Sequence, residues 1–225
     1  MHFSIIIPCF NEAENIPSLL NEINQELIDF EYEIIIIDDK STDNSIEIIK
    51  KNNHNIKVLE NKFNKGQSFC ISKGVKISNS NTIVTIDCDG QNNPADIKKL
   101  FLIYKKNKTV KLVGGIRNKR IDNFTKIISS KIANSIRSKI LNDQCKDTGC
   151  SLKIFDRDIF LNFPYFNGIH RFLPALFKGY GHITIFIEVN HRKRKYGVSK
   201  YGTINRLFIG IRDILIVKKI IKNKF

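Results

Sequence analysis

The sequence predicts a single α/β domain whose core is a mostly parallel β-sheet covered by helices on both faces. Three observations predict it. Apolar, β-branched runs recur at 3–8, 33–39, 56–60, 82–86 and 110–114. Segments with apolar residues at helical spacing lie between them. The runs are nearly continuous rather than alternating, as strands buried on both faces require.

In chain order, FSIIIP (3–8) is the first strand, and Ile16, Leu19, Leu20, Ile23 and Leu27 mark the first helix face. EIIIIDD (33–39) is the second strand. The turn after it offers Ser41, Thr42 or Asp43 as N-cap for a short helix through Ile46, Ile48 and Ile49. Ile56–Glu60 is the third strand, and a helix runs from the Phe63–Gly66 turn to about Ile77. Thr82–Ile86 is the fourth strand, Pro94 opens a helix over Ala95–Tyr104, and Val110–Gly114 is the fifth strand. The second half is less regular. Residues 124–141 form an amphipathic basic helix, with Phe124, Ile127, Ile128, Ile132, Ile136 and Ile140 on one face. Residues 204–225 form a separate basic amphipathic segment after a domain spanning 1–203. That segment fits a membrane interface and a helix packed on the domain equally well.

At 225 residues the chain is long enough to bury a proper core, and its 42% hydrophobic content excludes a disordered protein. Cys9, Cys70, Cys88, Cys145 and Cys150 form no C-x-x-C, and a strand pattern begins at once with His2–Pro8. A reducing cytosolic setting is therefore expected. No run reaches the roughly 18 apolar residues of a spanning helix. The net charge is +15, and residues 192–225 hold eleven Lys or Arg against the single acid Asp213. Such a tail points to polyanions: nucleic acid, an anionic membrane or substrate phosphates. No nucleic-acid motif accompanies it, and a nucleic-acid role would leave the acidic strand ends unexplained.

Chemistry concentrates in IVTIDCDGQNNP (83–94). The strand delivers Asp87, Asp89 and Gln91, which point to one side because alternate residues of extended chain do. Two carboxylates and an amide suit a hard cation, Mg²⁺ or Mn²⁺, with open positions for phosphate oxygens. Residues Pro8 to Glu12 and Asp38–Asp39 end the first two strands, and such ends line a shared crevice. Glycine fingerprints for dinucleotides or mononucleotides are absent, so carboxylates hold the nucleotide.

SIIIPCFNEAENI, EIIIIDDKSTDNS (with Lys40 where glycine is usual), NKGQSFCISKG (64–74) and DCDGQ together resemble the family 2 glycosyltransferases of the GT-A, Rossmann-like fold, over nearly the whole chain. DCDGQ, DTGCSLKIF (147–155) and RKYGVSKYG (194–202) look most like polyprenyl-phosphate hexose synthases of the dolichol-phosphate mannose synthase type. The resemblance implies a GDP- or UDP-hexose donor, a polyprenyl phosphate acceptor and peripheral contact with the inner face of the membrane. It places Pro8, Phe10, Glu12, Ile36, Asp38, Asp87 and Cys88 against the nucleotide, and Asp89 and Gln91 on the metal. Arg194 and Lys200 would reach the diphosphate and Arg117 the acceptor phosphate, with Arg120 as its alternative. Asp89, Arg117 and Arg194 form the implied catalytic set, which leaves out His170 and Arg171. A phosphate acceptor is already an anion and needs no strong base, so direct displacement inverts the anomeric centre. A hydroxyl acceptor on the same scaffold would need a further carboxylate as base.

Overall fold

The structure is a computed structural model that describes residues 2–51, 56–118, 135–197 and 203–224, with side chains of the last segment described from Gly210. Five strands appear near where the sequence places them: β1 (Phe3–Cys9), β2 (Tyr32–Asp38), β3 (Ile56–Glu60), β4 (Thr82–Thr85) and β5 (Val110–Arg117). Helices α1 (Ile16–Glu26), α2 (Ser45–Lys51), α3 (Gln67–Ile77) and α4 (Ala95–Lys106) alternate with them. The second half adds a helical stretch at 135–141 (α5), then β6 (Lys153–Asp156), α6 (Arg157–Leu161), α7 (Ile169–Gly179), β7 (Ile183–Val189) and α8 (Thr203–Lys222).

These strands form one sheet in the order β3-β2-β1-β4-β6-β5-β7. All neighbours are parallel except β6, which runs antiparallel to β4 and β5. The sheet is thus mostly parallel, as expected, with one reversed strand that the sequence reading did not locate. β6 is only four residues long, too short for a period to show.

Strand alternation divides the core into two layers. Phe3, Ile5, Ile7, Ile34, Ile36, Val84, Ile86 and Ile154 face one side, where Ile16, Leu19, Leu20 and Ile23 of α1 and Ile97, Leu100 and Phe101 of α4 cover them. Ile6, Ile35, Ile37, Ile83, Leu112 and Phe155 face the other, under Cys70, Ile71 and Val75 of α3 and the apolar face of α7. A Cβ at Gly74 would lie 2.5 Å from Ile6 Cγ2, so glycine lets α3 approach β1 closely. Burying these side chains, at about 25 cal/mol per Å² of apolar surface, is the main term holding the two helix layers on the sheet.

The C-terminal segment is a helix that packs on the domain through one face and exposes another. Asp213 and Val217 of α8 are fully buried, and Ile221 lies under Gly179 of α7. Ile211 and Leu215 are 53% and 62% exposed, beside exposed Arg212, Lys218, Lys219 and Lys222. Of the amphipathic helix expected at 124–141, residues 124–134 lie outside the described residues; in α5, Ile136 and Ile140 are exposed while Arg137 and Leu141 are buried.

Candidate active site

Parallel strands put their carboxyl ends on one edge of the sheet, and the chain order reverses between β1 and β4. The predicted residues gather there. Asp38 ends β2; its carboxylate accepts from Ser41, through the backbone N–H at 2.9 Å and the hydroxyl at 2.5 Å. Asp39 accepts from Asn61 Nδ2 and from the backbone N–H groups of Lys65 and Gly66 at 2.7–2.9 Å. Asp39 therefore pins the turn before α3, and Asp38 is the carboxylate of the pair nearer the β1 end, where Asp39 N–H donates to the Cys9 carbonyl. Glu12 is 8% exposed, accepts from Asn15 Nδ2 at 2.7 Å and pairs with Arg194 Nη2 at 2.8 Å. Its backbone N–H donates to Ser45 Oγ at 3.0 Å, which ties the turn after β1 to α2.

Ile36 and Cys88 turn their side chains into the core, so only their main chain is available to a ligand. Cys88 packs beside Cys9, whose thiol, together with burial, pushes the Cys88 thiol well above its ordinary range. Pro8 and Phe10 flank Cys9 and are partly exposed.

A narrow cleft is lined by Asp87, Asp89, Gln91, Asn92, Arg117, Gly149, Ser151 and His191. Burial and the neighbouring charge of Asp89 push the Asp87 carboxyl up to about 6, while Ser151, Lys153 and Arg117 pull the other way. Gln67, in the first turn of α3, donates from Nε2 to Asp87 Oδ1 at 2.6 Å. Burial likewise raises Asp89, which accepts from the Gln91 backbone N–H at 3.1 Å and lies 3.4 Å from Arg194 Nη2. Arg194 thus bridges Glu12 and Asp89.

Two carboxylates raised by burial, Asp87 also by Asp89 and Asp89 also by Glu12, form a site that a cation would relieve. Among the described residues no three His, Cys, Asp or Glu side chains converge on a point. A hard cation here would take Asp89 and the Gln91 amide oxygen, completed by ligand oxygens; the donor set fits Mg²⁺ or Mn²⁺ and not a closed structural site.

The sequence reading missed several residues of this wall. His191 pairs with Asn92 in an isolated antiparallel bridge, and the Gln91 carbonyl accepts from Arg192 N–H at 2.8 Å. This bridge carries the basic segment across the acidic turn. Ser151 donates to Asn92 Oδ1 at 2.7 Å. Lys153 is 4% exposed, sits opposite Thr85 in the β4–β6 register, and donates to the Cys150 carbonyl. Arg117 is held by Asp147 through both guanidinium and backbone. DTGCSLKIF had marked the segment, but nothing local in it says which strand it joins. His170 does not line the cleft: its Nδ1 is 2.6 Å from Ser68 Oγ, which also accepts from Gly168 N–H at 2.8 Å. Arg171 pairs with buried Asp213 at 2.7 Å and so ties α7 to α8. Lys200 and Arg120 lie outside the described residues.

The profile described as glycosyl transferase family 2 matches residues 4–163. Among curated proteins, the dodecaprenyl-phosphate galacturonate synthase of Rhizobium johnstonii is 31% identical over 96% of this chain and 66% of its own length. The undecaprenyl-phosphate 4-deoxy-4-formamido-L-arabinose transferase of Proteus mirabilis is 33% identical over 88% and 62%. The chain therefore spans somewhat less than two thirds of the length of these relatives. Among solved structures, glucosyl-3-phosphoglycerate synthase of Mycobacterium tuberculosis, bound to Mn²⁺, uridine diphosphate and glucosyl-3-phosphoglycerate, superposes with a TM-score of 0.72 at 15% identity, over 96% of this chain and 77% of that one. That likeness shows the fold, the GT-A arrangement anticipated from the motifs.

Proposed function

Because the chain belongs to glycosyl transferase family 2, we propose that it transfers a hexose from a GDP- or UDP-sugar to a polyprenyl phosphate, with inversion, at the cytoplasmic face of a membrane. The observation that carries this reading is the cleft itself, where Asp87, Asp89 and Gln91 face Arg117. One wall suits a metal-bound diphosphate and the other an anionic acceptor. The names of the two curated relatives point to the same acceptor class.

Each residue then has a task. Pro8, Phe10, Glu12 and Asp38, with the main chain at Ile36 and Cys88, hold the nucleoside. Asp89 and Gln91 hold Mg²⁺ or Mn²⁺, which when bound neutralises the diphosphate. Arg194 exchanges its contacts with Glu12 and Asp89 for the departing diphosphate, assisted by Lys200. Arg117 orients the acceptor phosphate for in-line attack on the anomeric carbon. The phosphate oxygen is the nucleophile as it stands, so no proton has to leave it. A hydroxyl acceptor would need a base. Asp147, the further carboxylate beside the cleft, is committed to Arg117 at 2.7 Å, which favours the phosphate.

The exposed stripe of α8, Ile211 and Leu215 among Arg212, Lys218, Lys219 and Lys222, fits an anionic interface where such an acceptor resides. Among the described residues no helix is long and apolar enough to cross a membrane.

A panel of labelled donors (GDP-mannose, UDP-glucose, UDP-galacturonate, UDP-N-acetylglucosamine) with undecaprenyl phosphate and Mn²⁺ tests the reading. Label entering the organic phase with one donor, and lost with chelator, is the expected result. Nucleotide binding without transfer to lipid from any donor would overturn the acceptor assignment.

A further inference from the structure

Arg117 ends β5 at the cleft, and Asp147 meets it from thirty residues further along the chain. The Asp147 carboxylate takes Nε and Nη2 at 2.7 Å each and the Arg117 backbone N–H at 3.2 Å. The two side chains are only 15% and 6% exposed. A guanidinium gripped through Nε and one Nη keeps a fixed plane, because its donors form a rigid fork.

Gly149 crowds the same group beside the Asp147 carboxylate. A Cβ at position 149 would lie 2.8 Å from Arg117 Nη2. Gly149 does not adopt a positive φ, so space and not backbone conformation calls for glycine there. The segment is braced further on, where buried Lys153 holds the Cys150 carbonyl and Ser151 donates to Asn92.

We propose that Asp147 is a positioning residue for acceptor recognition. Acting through Arg117, with Gly149 as the spacer, it sets the direction from which the guanidinium meets the acceptor's phosphate. This rests on the reading of Arg117 as the acceptor-phosphate contact. The carboxylate offsets much of the Arg117 charge at a distance, so recognition depends on the aim of the remaining N–H bonds more than on net field.

Isothermal titration of the full chain with farnesyl phosphate, in Mn²⁺ with UDP or GDP present, tests this. Asp147→Asn is expected to weaken farnesyl phosphate about tenfold, as loss of an outer partner of a binding group does. Nucleoside diphosphate affinity should stay within about twofold, since the Asp147 carboxylate engages Arg117 and not the carboxylates that hold the nucleotide. Gly149→Ala should act in the same direction. The double variant Arg117→Ala/Asp147→Asn should bind no more weakly than Arg117→Ala alone. A merely structural Asp147 would lower both affinities together and add to Arg117→Ala, and that result overturns the proposal. Normal farnesyl phosphate binding by Asp147→Asn, with weak binding by Arg117→Ala, overturns the positioning role alone. Normal binding by Arg117→Ala, or none by the wild type, overturns the acceptor reading and the proposal with it.

Discussion

The acidic wall of the cleft and its basic wall are built by different means. Asp38 ends β2, and Asp87 and Asp89 follow β4, two units of a regular strand–helix alternation, so all three lie at the carboxyl ends of parallel strands. Arg117, Asp147, Lys153, His191 and Arg194 come from a region where β6 runs backwards and the chain returns through the Asn92–His191 bridge. One wall is a property of local strand geometry. The other exists only once distant segments have docked, through Arg194 on Glu12 and Asp89 and through Arg192 on Glu22 at 2.5 Å. The comparison teaches that the acidic wall is fixed by the sheet, while the basic wall depends on tertiary latches.

The sharpest way to break that division is at its acidic wall. Asp89→Ala is expected to lower transfer about 10³-fold with the fold intact, because it removes stabilisation of the departing diphosphate. Single-turnover rates alongside a melting curve check it. Next in size is the latch. Arg194→Gln should cost about 10²-fold in donor kcat/KM, since one partner of a buried charge pair disappears and leaves Glu12 and Asp89 facing each other. It should spare farnesyl phosphate binding, which separates the diphosphate contact proposed for Arg194 from the acceptor contact proposed for Arg117.

How far the two walls could be read from sequence follows the same line. Phe3–Cys9, Tyr32–Asp38 and Thr82–Thr85 are β-branched runs ending in acids, and both their strand character and their site edge are local properties. Asp39 shows the limit: next to Asp38 in sequence, it binds the turn before α3, while Asp38 holds Ser41. Asn92 adjoins Gln91 and His191 adjoins Arg192, yet neither signals a site until the bridge between them forms. Lys153 reads as one more lysine in a basic chain; only the β4–β6 register buries it beside Thr85.

A pH titration sharpens the comparison on the tertiary side. Burial, with the charges of Arg171 and Lys153, holds the His170 imidazole well below its usual range. A histidine depressed in the folded state binds more protons when unfolded, so its contribution is complete above about pH 6.5 and lost as pH falls below it. Stability should drop by at most about 1.4 kcal/mol per pH unit for this one proton. His170→Asn should flatten that slope, which denaturant titrations from pH 7.5 to 5 would read. The smallest expected effect lies at the outer surface. Replacing Lys218, Lys219 or Lys222 by Gln should reduce binding to anionic vesicles about fivefold per lysine. Turnover of a detergent-dispersed acceptor should not change.

The reversal of β6 has a consequence for how the protein can vary. β5 leaves the sheet at the cleft and β6 enters it there, so Arg117 and Asp147, the two ends of the connection between them, lie on a single rim. The ion pair staples these two ends together. Lengthening a closed segment costs little more than a logarithm of its length. A connection of another length can therefore join Arg117 to Asp147 at little cost in closure entropy, without moving the strand ends that carry Asp87 and Asp89.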